Sequence, residues 1–224
     1  MSDAAGVCAL IRTRRLIPVV RADDAEQAIR ASEALVDGGL GVLEITLTVP
    51  GAFRCIEVLA RKFGERVLVG AGTVLDAASC RDAISAGAEF IVTPGLRLDV
   101  VAAAREAKTA VLPGALTPTE VLAAWQAGGD LVKVFPCDAV GGAAYIKALR
   151  GPFPQIGLVP TGGVSLETAA KFLRAGATAL GLGGSLIPLA EMRAGQWHSI
   201  RERAARLLAI EAAEALAVEQ PVLP

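Results

Sequence analysis

Histidine is almost missing from this chain. Among 224 residues only His198 carries an imidazole, which leaves a Ser-His-Asp triad and a multi-histidine metal set without their parts. Cysteine is sparse as well. Cys8, Cys55, Cys80 and Cys137 stand far apart, with no Cys-x-x-Cys spacing, so zinc and a disulfide framework are both disfavoured and buried free thiols are the simpler expectation. Neither sign of charge dominates: the formal net charge is -1 and the longest basic group is Arg12, Arg14 and Arg15. That offers no electrostatic footprint for nucleic acid. The first twenty residues hold Asp3 and three arginines but no apolar signal-like region, and no later run reaches membrane-spanning length. A soluble cytoplasmic protein with no membrane partner is expected. No Gly-x-Gly-x-x-Gly opens a helix after the first strand, and no low-complexity linker divides the chain.

What is present is aliphatic. Hydrophobic residues make up 53% of the chain while aromatics make up only 4%, and there are 24 glycines, so the core must be built from Val, Ile, Leu and Ala between many turns. Parallel strands buried on both faces have this composition. Strand-like runs and amphipathic segments alternate: LIPVVR (16–21), VLEITL (42–47), VLVGA, EFIVT, AVLPG, LVKVF, GLVPT and TALGLG, each followed by a helical pattern. Asp23 or Asp24 can cap the first of these helices, and a long helix over 196–218 ends the series. About eight strand–helix units predict a (β/α)8 TIM barrel rather than an open doubly wound sheet. One domain over 1–224 is expected, with short ends around 1–12 and 219–224.

Alternate side chains of a barrel strand face the interior, and functional groups gather at the C-terminal mouth. In LVKVF the valines 132 and 134 suit the helix side, which turns Leu131, Lys133 and Phe135 inward. In VLEITL the same alternation sends Leu43, Ile45 and Leu47 outward and Val42, Glu44 and Thr46 inward. The second and sixth strands share interior layers, so Lys133 and Glu44 can approach each other. Two readings follow. A buried ion pair needs no chemistry. A lysine among apolar neighbours is instead a candidate amine nucleophile for a carbonyl, with a glutamate placed to move protons at the adjacent carbon.

PTGGVS (160–165) and LGGSL (182–186) follow the seventh and eighth strands, where barrels frequently bind phosphate through backbone N–H groups. Gly162, Gly163, Gly184 and Ser185 are therefore candidates, although tight turns use the same residues. Thr73, in GAGTV, can present a hydroxyl to a carboxylate or simply end its strand. Arg21 closes the first strand at the same mouth, as a carboxylate clamp or a solvated rim residue. Thr161 can bond near the reacting centre or start its loop. His198 lies far in sequence from any strand end.

In order along the chain, IPVVR, GGLGVLEITL, VGAGTVLD, FIVTPG, LPGALTPTE, LVKVFPCDAVGG, GPFP, PTGGV and LGLGGS resemble the 2-keto-3-deoxy-6-phosphogluconate (KDPG) aldolases, also called 4-hydroxy-2-oxoglutarate (KHG) aldolases. The resemblance runs from about Leu16 into the terminal helix. It implies a class I aldolase acting on a phosphorylated keto acid, a homotrimer, and no metal or organic cofactor. It assigns Schiff-base formation to Lys133, general acid/base work to Glu44 and the pyruvate carboxylate to Thr73. Pro94 and Phe135 would wall the pocket, and Gly162, Gly163 and Ser185 would hold phosphate.

One position departs from the pattern. Many relatives read E-x-T-x-R after the second strand, the arginine binding carboxylate, whereas here Glu44 and Thr46 are followed by Thr48. Arg21 is expected to supply the missing cation. The departure leaves gluconate and galactonate derivatives both open as substrates. Rival readings are a phosphosugar isomerase or epimerase, in which Lys133 has no covalent role, and a non-catalytic or engineered self-assembling barrel.

Overall fold

The computed structural model describes residues 3–219. Eight parallel strands curl round one axis: β1 (Leu16–Val20), β2 (Val42–Thr46), β3 (Leu68–Gly72), β4 (Phe90–Val92), β5 (Ala110–Leu112, resuming as Gly114–Ala115), β6 (Val132–Val134), β7 (Leu158–Pro160) and β8 (Leu180–Leu182). Proline has no N–H to give a ladder, and Pro113 divides β5 into a part paired with β4 and a part paired with β6. The other edges meet through β8 on β1 and a single parallel bridge from Thr161 to Gly181. The sheet thereby closes, as the alternating pattern predicts.

Helices α2 (Ala25–Asp37), α3 (Ala52–Phe63), α4 (Ala77–Ser85), α5 (Leu98–Glu106), α6 (Pro118–Gln126), α7 (Ala143–Arg150), α8 (Ala169–Arg174), α9 (Leu189–Arg193) and α10 (Trp197–Glu219) lie along the chain between and after the strands. Their starts are chemically marked. Asp24, rather than Asp23, caps α2 by accepting from the Gln27 N–H at 2.8 Å. Thr117 and Glu120 close a reciprocal capping box on α6, with Pro118 at the first helical position.

Two separate apolar clusters show what the strand alternation does. Leu43, Ile45, Val132 and Val134 belong to the outer one, shared with the surrounding helices, while Val42, Phe90, Leu131 and Val159 belong to the inner one. The inward and outward faces predicted for β2 and β6 are the observed ones.

The amino-terminal segment departs from expectation. The short end expected around 1–12 instead belongs largely to a helix, α1 (Ala4–Arg14), whose Val7, Cys8 and Ile11 join the inner cluster. They recur at helical spacing on one face, so the helix buries its apolar stripe in the barrel's lower opening. Asp3 caps it, accepting from Gly6 at 2.8 Å. The short helix α9 was also not anticipated. Of the expected carboxyl-terminal end, residues 220–224 lie outside the described residues. Among the described residues no helix is long and apolar enough to cross a membrane.

Candidate active site

Strand register builds the site. Glu44 lies opposite Gly70 of β3, and Lys133 lies between Gly114 of β5 and Val159 of β7. Both side chains enter the interior and both are 3% exposed. The Lys133 Nζ stands 3.8 Å from Glu44 Oε1. That separation is an ion pair and too long for a hydrogen bond, and among the described residues Glu44 Oε1 has no hydrogen-bond partner although it is buried. A buried carboxylate oxygen left without a donor is costly, and such exceptions concentrate where a site is prepared for something else. The ammonium also sits 5.2 Å from the centre of the Phe135 ring.

Phe135 connects this pair to an open cavity of about 260 Å³. Thr161, Gly162, Gly163, Gly184 and Ser185 line it, and so does Arg21. Gly162 and Gly163 hold φ of 95° and 70°, a region that side chains rarely tolerate. Their space is used: a Cβ on Gly163 would come within 2.5 Å of the Asp138 Cβ, and one on Gly162 within 2.8 Å of Asp138 Oδ1. The two anion-type loops are tied together by Ser185, whose hydroxyl donates to the Val164 carbonyl at 2.6 Å. Thr161 is buried at the strand end, and a Cβ on Gly181 would fall 2.2 Å from its Oγ1.

Arg21 is exposed, and among the described residues no carboxylate reaches it in an ion pair. It leans toward the loop after β8, its guanidinium 3.1 Å from where a Gly183 Cβ would stand. Thr48, at the position where many relatives carry arginine, lies 2.8 Å from the Thr46 hydroxyl, which donates to the Val20 carbonyl at 3.0 Å. These hydroxyls tie the end of β2 to the backbone immediately before Arg21.

Thr73 and Pro94 do not line the cavity; they occupy the neighbouring ends of β3 and β4. Thr73 has φ of 57°, a costly conformation for a β-branched residue and one that collects at functional sites. Pro94 is packed by Gly114, whose absent side chain would meet the Pro94 backbone at 2.3 Å. His198 stays outside the site on α10, 3.1 Å from Glu202. The Cys137 thiol, beside the site in sequence, is pushed up to about 12 by burial, so it is not a competing nucleophile near neutral pH.

Three residues of the arrangement were not singled out from the sequence. Gly72, Gly181 and Asp138 act through what fits beside them. The Gly-Gly pair announced a tight turn, but nothing in the linear order says that Asp138 fills it.

The chain matches the model of the aldolase family described as KDPG and KHG aldolase over residues 7–203. It is 37% identical over 198 residues to the 2-dehydro-3-deoxy-phosphogluconate aldolase of Pseudomonas aeruginosa, covering 88% of this chain and 89% of that one. Among solved structures it resembles the KDPG aldolase of Legionella pneumophila, captured with pyruvate as a covalent carbinolamine intermediate. There the TM-score is 0.82 at 31% identity, with 89% and 97% of the two chains covered. A native KDPGal structure gives a TM-score of 0.82 at 32% identity, over 90% of this chain and 96% of the other.

Proposed function

The chain belongs to the KDPG and KHG aldolase family, and we propose that it is a class I aldolase cleaving 2-keto-3-deoxy-6-phosphogluconate to pyruvate and glyceraldehyde 3-phosphate, with 4-hydroxy-2-oxoglutarate as a further substrate. The observation that carries this reading is Lys133, buried in an apolar strand and 3.8 Å from a glutamate oxygen that has no hydrogen-bond partner among the described residues.

The Lys133 amine adds to the keto carbon, and loss of water gives an iminium. Glu44 takes the proton of the substrate hydroxyl, through a water, as the carbon–carbon bond breaks. The bond pair moves into an enamine and the aldehyde leaves. Reprotonation of the enamine carbon and hydrolysis then release pyruvate and the free amine. The phosphate is held by the Gly162–Gly163 loop and by Gly184 and Ser185, whose backbone turns suit an anion. Arg21 and, from the adjoining end of β3, Thr73 bind the carboxylate; Thr161 bonds near the reacting carbon, Phe135 walls the cavity, and Pro94 bounds the substrate from the adjoining end of β4.

Borohydride reduction in the presence of pyruvate, followed by mass spectrometry, tests the central step. A pyruvyl adduct on Lys133 is expected; no adduct on any lysine overturns the reading. Arg21→Ala is expected to raise KM at least about tenfold, the value of one charge-assisted bond, and an unchanged KM removes Arg21 from the site.

Thr48 in place of arginine, together with the likeness to the KDPGal structure, favours a second substrate: the galactonate epimer of the same keto acid. The ratio of kcat/KM for the two epimers decides between them. The same family reading makes the particle a cytoplasmic homotrimer. Phe53, Leu75 and Leu98, large apolar side chains exposed near strand ends, support a covered surface. Light scattering should return three times the chain mass.

A further inference from the structure

Glu44 is level with Gly70 in the β2–β3 register, and Thr46 is level with Gly72. The Glu44 side chain nevertheless reaches the Gly72 level. A Cβ built on Gly72 would stand 1.9 Å from Glu44 Oε1, 2.5 Å from Cδ and 2.6 Å from Cγ. The carboxylate therefore leans two residues along the sheet, toward the mouth, and occupies the volume that any other residue at position 72 would fill. Its alternatives are restricted, because the side chain is buried and Lys133 Nζ stands 3.8 Å from the same oxygen. The obstructing group is the end of a side chain and not backbone, so a methyl at position 72 moves the carboxylate while the strand stays in place. Gly72 has an ordinary extended role in β3; unlike the glycines after β7, it does not appear among the positive-φ residues. A turn requirement does not explain it.

We infer that Gly72 is a positioning residue for proton transfer: its missing side chain is the space that aims the Glu44 carboxylate at the carbon next to the Lys133 iminium. The inference rests on the aldolase reading. In the step concerned, a C–H bond of the pyruvyl iminium breaks and its proton goes to a Glu44 oxygen. The C–H electron pair becomes the enamine double bond, and the iminium nitrogen becomes neutral.

Gly72→Ala separates this from a general packing role. Borohydride trapping of pyruvate on Lys133 should persist at the parent level, because the amine is untouched. Exchange of the pyruvate methyl protons with deuterated water, read by NMR, should fall about a hundredfold, the lower range of general acid–base contributions. The double variant Gly72→Ala with Glu44→Asp should regain at least tenfold over Gly72→Ala, since the shorter carboxylate clears the methyl. Parent-level exchange in Gly72→Ala overturns the inference, and so does a parallel loss of trapping and exchange, which would place the disturbance at Lys133. If Gly72→Ala does not fold, thermal melting in the Glu44→Ala background decides. An unchanged Tm on adding Gly72→Ala there supports the inference, and a lowered one overturns it. Failure of the aldolase reading itself is distinct, for the parent protein would then neither trap nor exchange pyruvate.

Discussion

The interior positions of β6 and its flanks read Leu131, Lys133 and Phe135; those of β2 read Val42, Glu44 and Thr46. Their lower members, Leu131 and Val42, belong with Phe90 and Leu112 to a fully buried apolar layer closed from below by Val7 and Ile11 of α1. Two residues higher, the same strands bury an ammonium and a carboxylate whose oxygen lacks a hydrogen-bond partner among the described residues. Higher still lie the positive φ of Thr73 and the glycine loops. One barrel thus holds a layer that is satisfied and a layer that is not, about 7 Å apart along a strand rising about 3.3 Å per residue. The lower layer contributes stability. The upper layer stores unsatisfied charge and backbone strain where catalysis can use them, a division common to this architecture.

The contrast is broken most severely from below. Phe90→Ala removes a fully buried ring packed on Gly70 and is expected to cost about 4 kcal/mol, read from the shift of the urea midpoint. Activity per folded molecule should be retained. The upper layer should behave oppositely. Lys133→Met alone leaves Glu44 buried without its cation and should cost about 3 kcal/mol, whereas Lys133→Met with Glu44→Leu should be neutral or more stable by about 2 kcal/mol, with no activity. A double variant as unstable as the single one would mean that the pair supports the fold.

A smaller effect is expected at Thr73. Thr73→Gly relieves its left-handed backbone and should stabilise the protein by about 1 kcal/mol, while the lost hydroxyl raises KM for pyruvate in the exchange assay. The smallest belongs to the Arg174–Glu214 pair outside both layers, where Glu214 accepts two bonds from the guanidinium, at 2.8 and 2.5 Å. The arginine holds the Glu214 carboxyl below its usual range. Its contribution is therefore present above the unfolded-state value near 4.5 and is lost as pH falls through the lower folded value. Glu214→Gln should cost about 0.5 kcal/mol at pH 7 and progressively less as pH falls below 4.5, by thermal melting across that range.

Much of this was legible in the linear order, and for a definite reason. A period of two tells which side chains of a strand share a face, so Lys133 and Glu44 could be turned inward from LVKVF and VLEITL alone. The strand–helix alternation likewise implied a closed barrel. The amino-terminal helix was missed because Val7, Cys8 and Ile11 show where a stripe lies and are silent on which opening it fills. Gly72 and Asp138 were missed because a glycine's task depends on the side chain that takes its vacant space.

The repeating architecture, the inward lysine and glutamate, and the glycine loops at two neighbouring strand ends are written in the linear order, because each is local and periodic. Tertiary structure alone decided the 3.8 Å separation of Lys133 and Glu44, the lean of Glu44 into the space beside Gly72 and the reach of Arg21 over the β8 loop. Those are distances between strands far apart in the chain. Closure of the barrel and packing set them, and no spacing along the sequence records them.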